Sequence, residues 1–149
     1  MRDPANARSF LFVPATRPER ISKAFASGAD AVIVDLEDAV APADKEAARA
    51  GLLAALAADA GVFVRINAAG TPWHDADMDC LDHPGIAGVM LAKAETADDV
   101  ARMPKPVIPL IETARGLAAA RTIAEVAGVV RLAFGTIDFM LDLGLPEDA

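Results

Sequence analysis

Short apolar segments alternate along the chain with stretches of helical character, and this alternation restricts the fold more than any other feature. The apolar segments are continuously hydrophobic, as expected for strands that are buried on both faces of a sheet. The predicted strands are 9–13, 31–36, 62–66, 88–92, 107–111 and 131–134. The predicted helices are 18–27, 44–60, 74–83, 96–103, 113–127 and 137–143. The pattern predicts six β-α units and therefore a parallel α/β fold.

Two parallel architectures fit six units. An open doubly wound sheet is complete at 149 residues, whereas a (β/α)₈ barrel normally needs about 250 residues. Polar residues follow nearly every strand directly, at 35–38, 65–67, 93–95, 112–115 and 135–138. An open sheet binds ligands only where the strand order reverses, whereas a barrel gathers all its strand ends around one mouth. We therefore predict a TIM-barrel type of fold, with residues 1–149 forming one incomplete barrel domain of about six units.

Composition and charge exclude several classes of function. The net charge of −8 disfavours nucleic-acid binding, since an acidic chain repels phosphate. The single cysteine excludes a disulfide framework and a cysteine-based zinc site, and it fits a reducing compartment. No apolar run is long enough to cross a bilayer, and Asp3 stands where a secretion signal would be apolar. We expect a cytoplasmic protein with neither a membrane nor a nucleic-acid partner.

Two carboxylates at neighbouring strand ends suggest a metal site. Glu112 follows the fifth predicted strand, and Asp138 follows the sixth. With one cysteine and two histidines in the chain, the expected metal is a hard cation such as Mg²⁺, which needs only one or two protein carboxylates. The alternative is that Glu112 pairs with Arg115 and that Asp138 caps the last helix.

Other charged strand ends allow two interpretations each. Arg65 ends a buried strand and is suited to bidentate recognition of a carboxylate, or it forms a structural ion pair with one of the acids at 35–38. Lys93 and Glu95 are most simply a salt bridge. The cations near the start of the first helix suit a phosphate-bearing ligand or form a solvated face. The segment 74–83 is rich in Asp and His but has no zinc spacing, and we expect an exposed acidic helix.

Six motifs in order along the chain strongly resemble the citrate lyase beta-subunit-like family of acyl-thioester lyases. That family lies in the HpcH/HpaI aldolase group of the phosphoenolpyruvate/pyruvate barrel superfamily. The motifs are SFLFVPA at 9–15, RPER at 17–20, AVIVDLED at 31–38, VRIN at 64–67, LIETARG at 110–116 and FGTIDF at 134–139. The resemblance implies a (β/α)₈ barrel, usually a homotrimer, that cleaves or forms a carbon–carbon bond. It implies Mg²⁺, a 2-oxo acid and a citryl-, malyl- or citramalyl-type thioester of CoA or an acyl carrier.

The resemblance also implies roles for individual residues. Glu112 and Asp138 match the Mg²⁺ ligands of the family. Arg65 matches the arginine that holds the carboxylate or carbonyl of the oxo acid, and Glu37 matches an acidic residue of the active-site mouth. Three further residues fall in the segment near the thioester carrier; they are Pro14, Arg17 and Lys23.

The chain departs from the family pattern at two points. Ile137 stands where many members have Glu, and the sequence stops at Ala149, before a seventh and an eighth strand. We therefore expect either a fragment of a longer product or a chain that something else completes. A metal-dependent pyruvate aldolase of the same group is the nearest alternative, but 35–38 lacks the histidine of those enzymes. A receiver domain lacks its acidic pair after the first strand, and an inactive metal- or thioester-binding remnant stays open.

Overall fold

The structure is a computed structural model that describes residues 4–146. Six strands alternate with six α-helices, as the sequence predicts. The strands are β1 (Phe10–Pro14), β2 (Ala31–Asp35), β3 (Val62–Ile66), β4 (Ile86–Leu91), β5 (Val107–Ile111) and β6 (Ala133–Phe134). The helices are α1 (Ile21–Ala26), α2 (Lys45–Ala55), α3 (His74–Cys80), α4 (Ala97–Ala101), α5 (Ala114–Ala124) and α6 (Thr136–Asp142). None of the helices within residues 4–146 is long and apolar enough to cross a membrane.

The order of the strands decides between the two architectures. All six strands are parallel, and each pairs with its neighbours in the sequence, so that the order is β1-β2-β3-β4-β5-β6. A doubly wound sheet contains a point at which the strand order reverses, and this order contains none among the described strands. The prediction of a partial TIM barrel is confirmed.

Two apolar layers show that the sheet is curved. The larger layer lies between the sheet and the helices. The smaller layer lies on the concave face and takes side chains from every strand or its flank; they are Phe10, Ile33, Phe63, Met90, Ile108, Leu110, Val130 and Ala133. Arg131 Nη1 also donates a hydrogen bond of 2.6 Å to the carbonyl of Ala7, near the other sheet edge. In a flat sheet the outer strands would be roughly 24 Å apart, so these contacts require a barrel-like curve.

The element bounds differ from the prediction mainly at two places. β6 contains two residues where the sequence predicts the four of 131–134. Helix α2 ends at Ala55 rather than at residue 60, because Leu56 turns to extended backbone and buries its side chain in the core. Tertiary packing therefore outweighs the helical propensity of the alanines that follow.

Candidate active site

The polar strand ends border one cavity on the concave face of the sheet. The cavity has a volume of about 660 Å³. Arg65, Glu112 and Asp138 line it together with Asp38, whereas apolar residues of the smaller layer form its floor. The structure therefore brings together the residues that the sequence marks for metal and oxo-acid binding.

A bidentate ion pair holds Arg65 in place. Its Nε donates to Asp35 Oδ1 at 2.8 Å and its Nη2 donates to Asp35 Oδ2 at 2.6 Å. The two residues are direct neighbours in the β2–β3 register. Asp35 is itself fixed, since it accepts hydrogen bonds from the backbone N–H groups of Glu37 and Ala39. The structural ion pair is thus real, and it also aims the guanidinium, which lies 5.2 Å from the ring centre of Phe12.

Glu37 lies between two cations. Its Oε1 accepts a hydrogen bond of 2.9 Å from Lys93 Nζ, and its Oε2 lies 3.2 Å from Arg65 Nη1. Burial raises the pKa of Glu37 above its ordinary value, although the hydrogen bond from Lys93 and the charge of Arg65 oppose that rise. Its carboxylate faces protein cations, and its role at the active-site mouth stays a prediction.

Glu112 and Asp138 both lie near the ammonium group of Lys93. Lys93 Nζ is 3.8 Å from Glu112 Oε1 and 3.6 Å from Asp138 Oδ2. Glu112 is buried and accepts a hydrogen bond of 2.9 Å from the backbone N–H of Lys93. Burial raises the pKa of Glu112 to about 7, and the charges of Asp138 and Glu37 add to the rise. The alternative pairing with Arg115 is wrong, because Arg115 lies 3.5 Å from Glu95 instead.

Gly135 makes room for the Glu112 carboxylate. A Cβ atom at this position would lie 2.5 Å from Glu112 Oε2. The backbone N–H of Gly135 donates to the carbonyl of Ile111 at 2.9 Å, so the strand pairing holds this close approach. The small residue at the end of β6 is therefore part of the site.

A buried polar network supports the ends of β2 and β3. Lys45 Nζ donates to the carbonyls of Leu36 and Glu37, and to Asn67 Oδ1, at 2.7 to 2.8 Å. Asp77 Oδ2 accepts from both the backbone and the side-chain nitrogen of Asn67. Burial lowers the pKa of Lys45, while the charge of Asp77 opposes that change. The network fixes the backbone that carries Glu37.

The residues expected near the thioester lie apart from the 660 Å³ cavity. Arg17 and Lys23 line a separate cavity of about 910 Å³ against Leu11 and Val13 of β1. Arg17 also pairs with Glu19 at 2.7 Å on the surface. Pro14 ends β1, opposite Asp35 in the sheet register. The structure thus places two of these three residues in a basic pocket outside the mouth.

The segment 74–83 is not a fully exposed acidic helix. His74, Asp77 and Cys80 are buried on one face of α3, and His74 Nδ1 lies 2.8 Å from the carbonyl of Asn67. Asp77 Oδ1 also pairs with Arg49 at 2.9 Å. Within residues 4–146, no group of three His, Cys, Asp or Glu side chains could hold a metal ion. The expectation of an exposed face was wrong because α3 packs against α2 and β3.

Sequence reasoning underestimated three residues of the site. The predicted salt bridge between Lys93 and Glu95 is not the contact that forms, since Lys93 turns to Glu37 and Glu95 accepts from Thr113. From the sequence, Asp35 is one of several acids at 35–38 that could pair with Arg65. In the sequence, nothing marks the role of Gly135 except its place before Thr136, although a glycine directly after a buried strand often marks a site where another group comes close to the backbone.

The sequence matches a known protein family. The family model HpcH/HpaI aldolase/citrate lyase matches residues 8–149. A "citrate lyase subunit beta-like protein" of Mycobacterium tuberculosis is 45% identical over 136 residues, which are 91% of this chain and 50% of that protein. A "(3S)-malyl-CoA thioesterase" of Cereibacter sphaeroides is 34% identical over 146 residues, covering 92% of this chain and 51% of that protein.

A solved structure is also similar to this chain. The citrate lyase beta subunit from M. tuberculosis, complexed with oxaloacetate and magnesium, superposes with a TM-score of 0.87 at 43% identity, covering 96% of this chain and 65% of that chain. The chain spans about half the length of the two relatives. The resemblance noted in the motifs is confirmed, and the chain belongs to the HpcH/HpaI aldolase/citrate lyase family.

Proposed function

We propose that these residues form the metal- and oxo-acid-binding part of a Mg²⁺-dependent carbon–carbon lyase. The substrate class is a 3-hydroxyacyl thioester of the citryl, malyl or citramalyl type, and the products are an acetyl-type thioester and a 2-oxo acid. One observation carries the proposal: Arg65, Glu112 and Asp138 line the same cavity at the strand ends. The similar structure with oxaloacetate and magnesium supports the choice of ligands.

The donor set fits Mg²⁺. Glu112 Oε1 and Asp138 Oδ2 each lie within 4 Å of Lys93 Nζ, so the two carboxylates are near each other. Mg²⁺ commonly takes one or two protein carboxylates and completes its six ligands with water and substrate oxygens. Gly135 leaves room for the Glu112 carboxylate, which supports the proposal that this carboxylate binds the metal. Glu112 and Asp138 would hold the ion.

The protein residues bind and orient the substrate around this ion. Asp35 takes one donor each from Nε and Nη2 of Arg65, and Glu37 Oε2 lies 3.2 Å from Nη1. The donors left on Nη1 and Nη2 would hold the carboxylate of the oxo acid. When bound, Mg²⁺ polarises the oxygen that is a hydroxyl in the substrate and a carbonyl in the oxo acid. A base removes the hydroxyl proton, the carbonyl forms, and the carbon–carbon bond breaks. The electron pair of the broken carbon–carbon bond passes to the thioester product, which leaves as an enolate and takes up a proton at carbon.

The basic pocket supplies a site for the thioester carrier. Arg17 and Lys23 place two cations beside apolar residues of β1 and α1. The phosphates of a coenzyme A thioester would pair with such cations. The name of the C. sphaeroides relative supports a CoA thioester over other carriers.

Magnesium binding tests the metal site directly. Titration calorimetry with MgCl₂ is expected to show binding to the parent chain, and a loss of at least tenfold in affinity for Asp138→Asn. Asp142→Asn is the matched control. Asp142 is another acid of α6, and its side chain accepts a hydrogen bond from the backbone N–H of Ala114 on α5. Unchanged affinity of the Asp138 variant would remove that residue from the site.

Thioester hydrolysis is a second candidate, favoured by the 34% identity with a malyl-CoA thioesterase. The two reactions yield different products from malyl-CoA. A lyase releases acetyl-CoA and glyoxylate without a free thiol, whereas a thioesterase releases free CoA and malate. A thiol assay beside a phenylhydrazine assay for the oxo acid separates the two activities.

A further inference from the structure

Lys93 has a backbone conformation that a lysine rarely adopts. Its φ is 46°, and among the residues that the structure describes it is the one non-glycine residue with a positive φ. Such strain persists only where the surroundings hold the residue in place, and it is common at functional sites. The residue lies two positions after the end of β4, and its ammonium lies within 4 Å of the Glu112 and Asp138 carboxylates of the cavity.

The left-handed turn aims two groups of Lys93 at one carboxylate. The backbone N–H donates to Glu112 Oε1 at 2.9 Å, and the ammonium lies 3.8 Å from the same oxygen. The ammonium lies beside Asp138 as well, at 3.6 Å from Oδ2. Its one hydrogen bond to a side chain goes to Glu37 Oε1 at 2.9 Å. The positive charge is therefore tied to Glu37 and stands next to both carboxylates assigned to the metal.

The same contact occupies Glu37. One of its oxygens accepts from Lys93, and the other accepts from the backbone N–H of Asp38 and faces Arg65. A carboxylate that is held by two cations is a poor metal ligand. The Lys93 ammonium is therefore the positive charge nearest to Glu112 and Asp138 that the proposed metal site must accommodate.

We propose that Lys93 is a built-in positive charge that weakens Mg²⁺ binding at Glu112 and Asp138. The inference rests on the proposed metal site and concerns the regulation of its affinity. Two like charges a few ångströms apart repel strongly in a partly buried site. An anionic oxo acid offsets this repulsion, so metal and oxo acid bind cooperatively.

Calorimetric titration with MgCl₂ tests the proposal on the parent chain and on Lys93→Met. The variant is expected to bind Mg²⁺ about tenfold more tightly, and its affinity is expected to gain less from added pyruvate than the parent's does. Lys105→Met is the matched control, because the Lys105 ammonium donates to the carbonyl of Ile86 at the opposite end of β4. Its Mg²⁺ affinity should equal that of the parent.

Equal or weaker Mg²⁺ binding by the Lys93 variant would overturn the inference, and would show that the ammonium organises the ligands instead. If the parent binds no Mg²⁺, the proposed metal site fails and the inference fails with it. Lys93→Gly provides a second ammonium-free variant that suits the left-handed backbone, and it should bind Mg²⁺ as tightly as Lys93→Met.

Discussion

At the scale of single residues, the site depends on pairs in which one side chain aims another. Asp35 takes two of the five N–H donors of Arg65, Nη1 faces Glu37 Oε2 at 3.2 Å, and the guanidinium still lines the cavity. Both members of the pair are buried or nearly so, with 3% of the Asp35 side chain and 13% of the Arg65 side chain exposed. The ion pair and the proposed recognition of substrate are therefore compatible.

Arg65→Lys is expected to weaken the binding of an oxo acid such as glyoxylate in the presence of Mg²⁺. Lysine cannot provide the planar fork, and losing a desolvated charged contact of this kind costs about 2–5 kcal/mol. Isothermal titration calorimetry measures the change. Arg115→Lys is the control, since the Arg115 side chain is 71% exposed and, among the described residues, forms its ion pair with Glu95. Parent-like affinity of the Arg65 variant would make Arg65 purely structural.

Gly135→Ala is expected to displace the Glu112 carboxylate and to reduce Mg²⁺ affinity by tenfold or more. The added Cβ would stand 2.5 Å from Glu112 Oε2, which is closer than side-chain atoms approach. Gly51→Ala on α2 is the comparison, because a Cβ there meets nothing within 4 Å. That change should leave metal binding intact and stabilise the helix by about 0.5–1 kcal/mol. Calorimetry and thermal denaturation measure the two effects.

At the scale of elements, the end of β5 continues through Glu112 into α5, and the start of that helix holds Glu112 in place. Thr113 follows Glu112 and caps α5, accepting a hydrogen bond of 3.0 Å from the backbone N–H of Gly116. Its hydroxyl also donates to Glu95. The cap therefore stabilises the helix and the turn that carries the carboxylate.

Thr113→Ala is expected to lower the free energy of unfolding by about 0.5–2 kcal/mol, the usual cost of losing an N-cap. Urea denaturation followed by circular dichroism measures the loss. Thr122→Ala on the same helix is the control, because its exposed hydroxyl donates to the carbonyl of Ala119 and caps no helix within residues 4–146. Equal stability of the two variants would contradict the role of Thr113 as a cap.

At the scale of the whole molecule, apolar side chains lie exposed along both edges of the described sheet. Near β6 the exposed fractions include 53% for Phe134, 60% for Leu141 and 44% for Leu145. On β1 they are 38% for Leu11 and 44% for Phe12. Strand edges and apolar surfaces of this kind favour pairing with another chain.

A polypeptide of these 149 residues is expected to self-associate, and the trimer that the family resemblance implies stays a prediction. Light scattering at several concentrations measures the mass. Replacing Leu141 and Leu145 by lysine should shift the population toward monomer, whereas Thr122→Lys on α5 should not. A parent chain that stays monomeric at all concentrations would contradict the prediction.

Sequence alone determined the type of fold and predicted most residues of the candidate site. The six strands are visible because parallel strands buried on both faces must be continuously apolar, and the positions of β3 and β5 match the predicted 62–66 and 107–111. The acids and Arg65 are visible because carboxyl ends of parallel strands share one edge, so that polar residues placed there must meet. These signals are local, and a single segment carries each of them.

Only the tertiary structure decided which charged groups become partners. Lys93 pairs with Glu37, which is 56 positions away in the chain, rather than with its neighbour Glu95. The left-handed backbone at Lys93 and the curve of the sheet set that choice, and neither leaves a pattern in the sequence. Burial of Asp77 and the close approach of Gly135 to Glu112 depend in the same way on packing between distant segments. Ion pairing acts over a few ångströms in space, so the folded chain and not the sequence spacing chooses the partners.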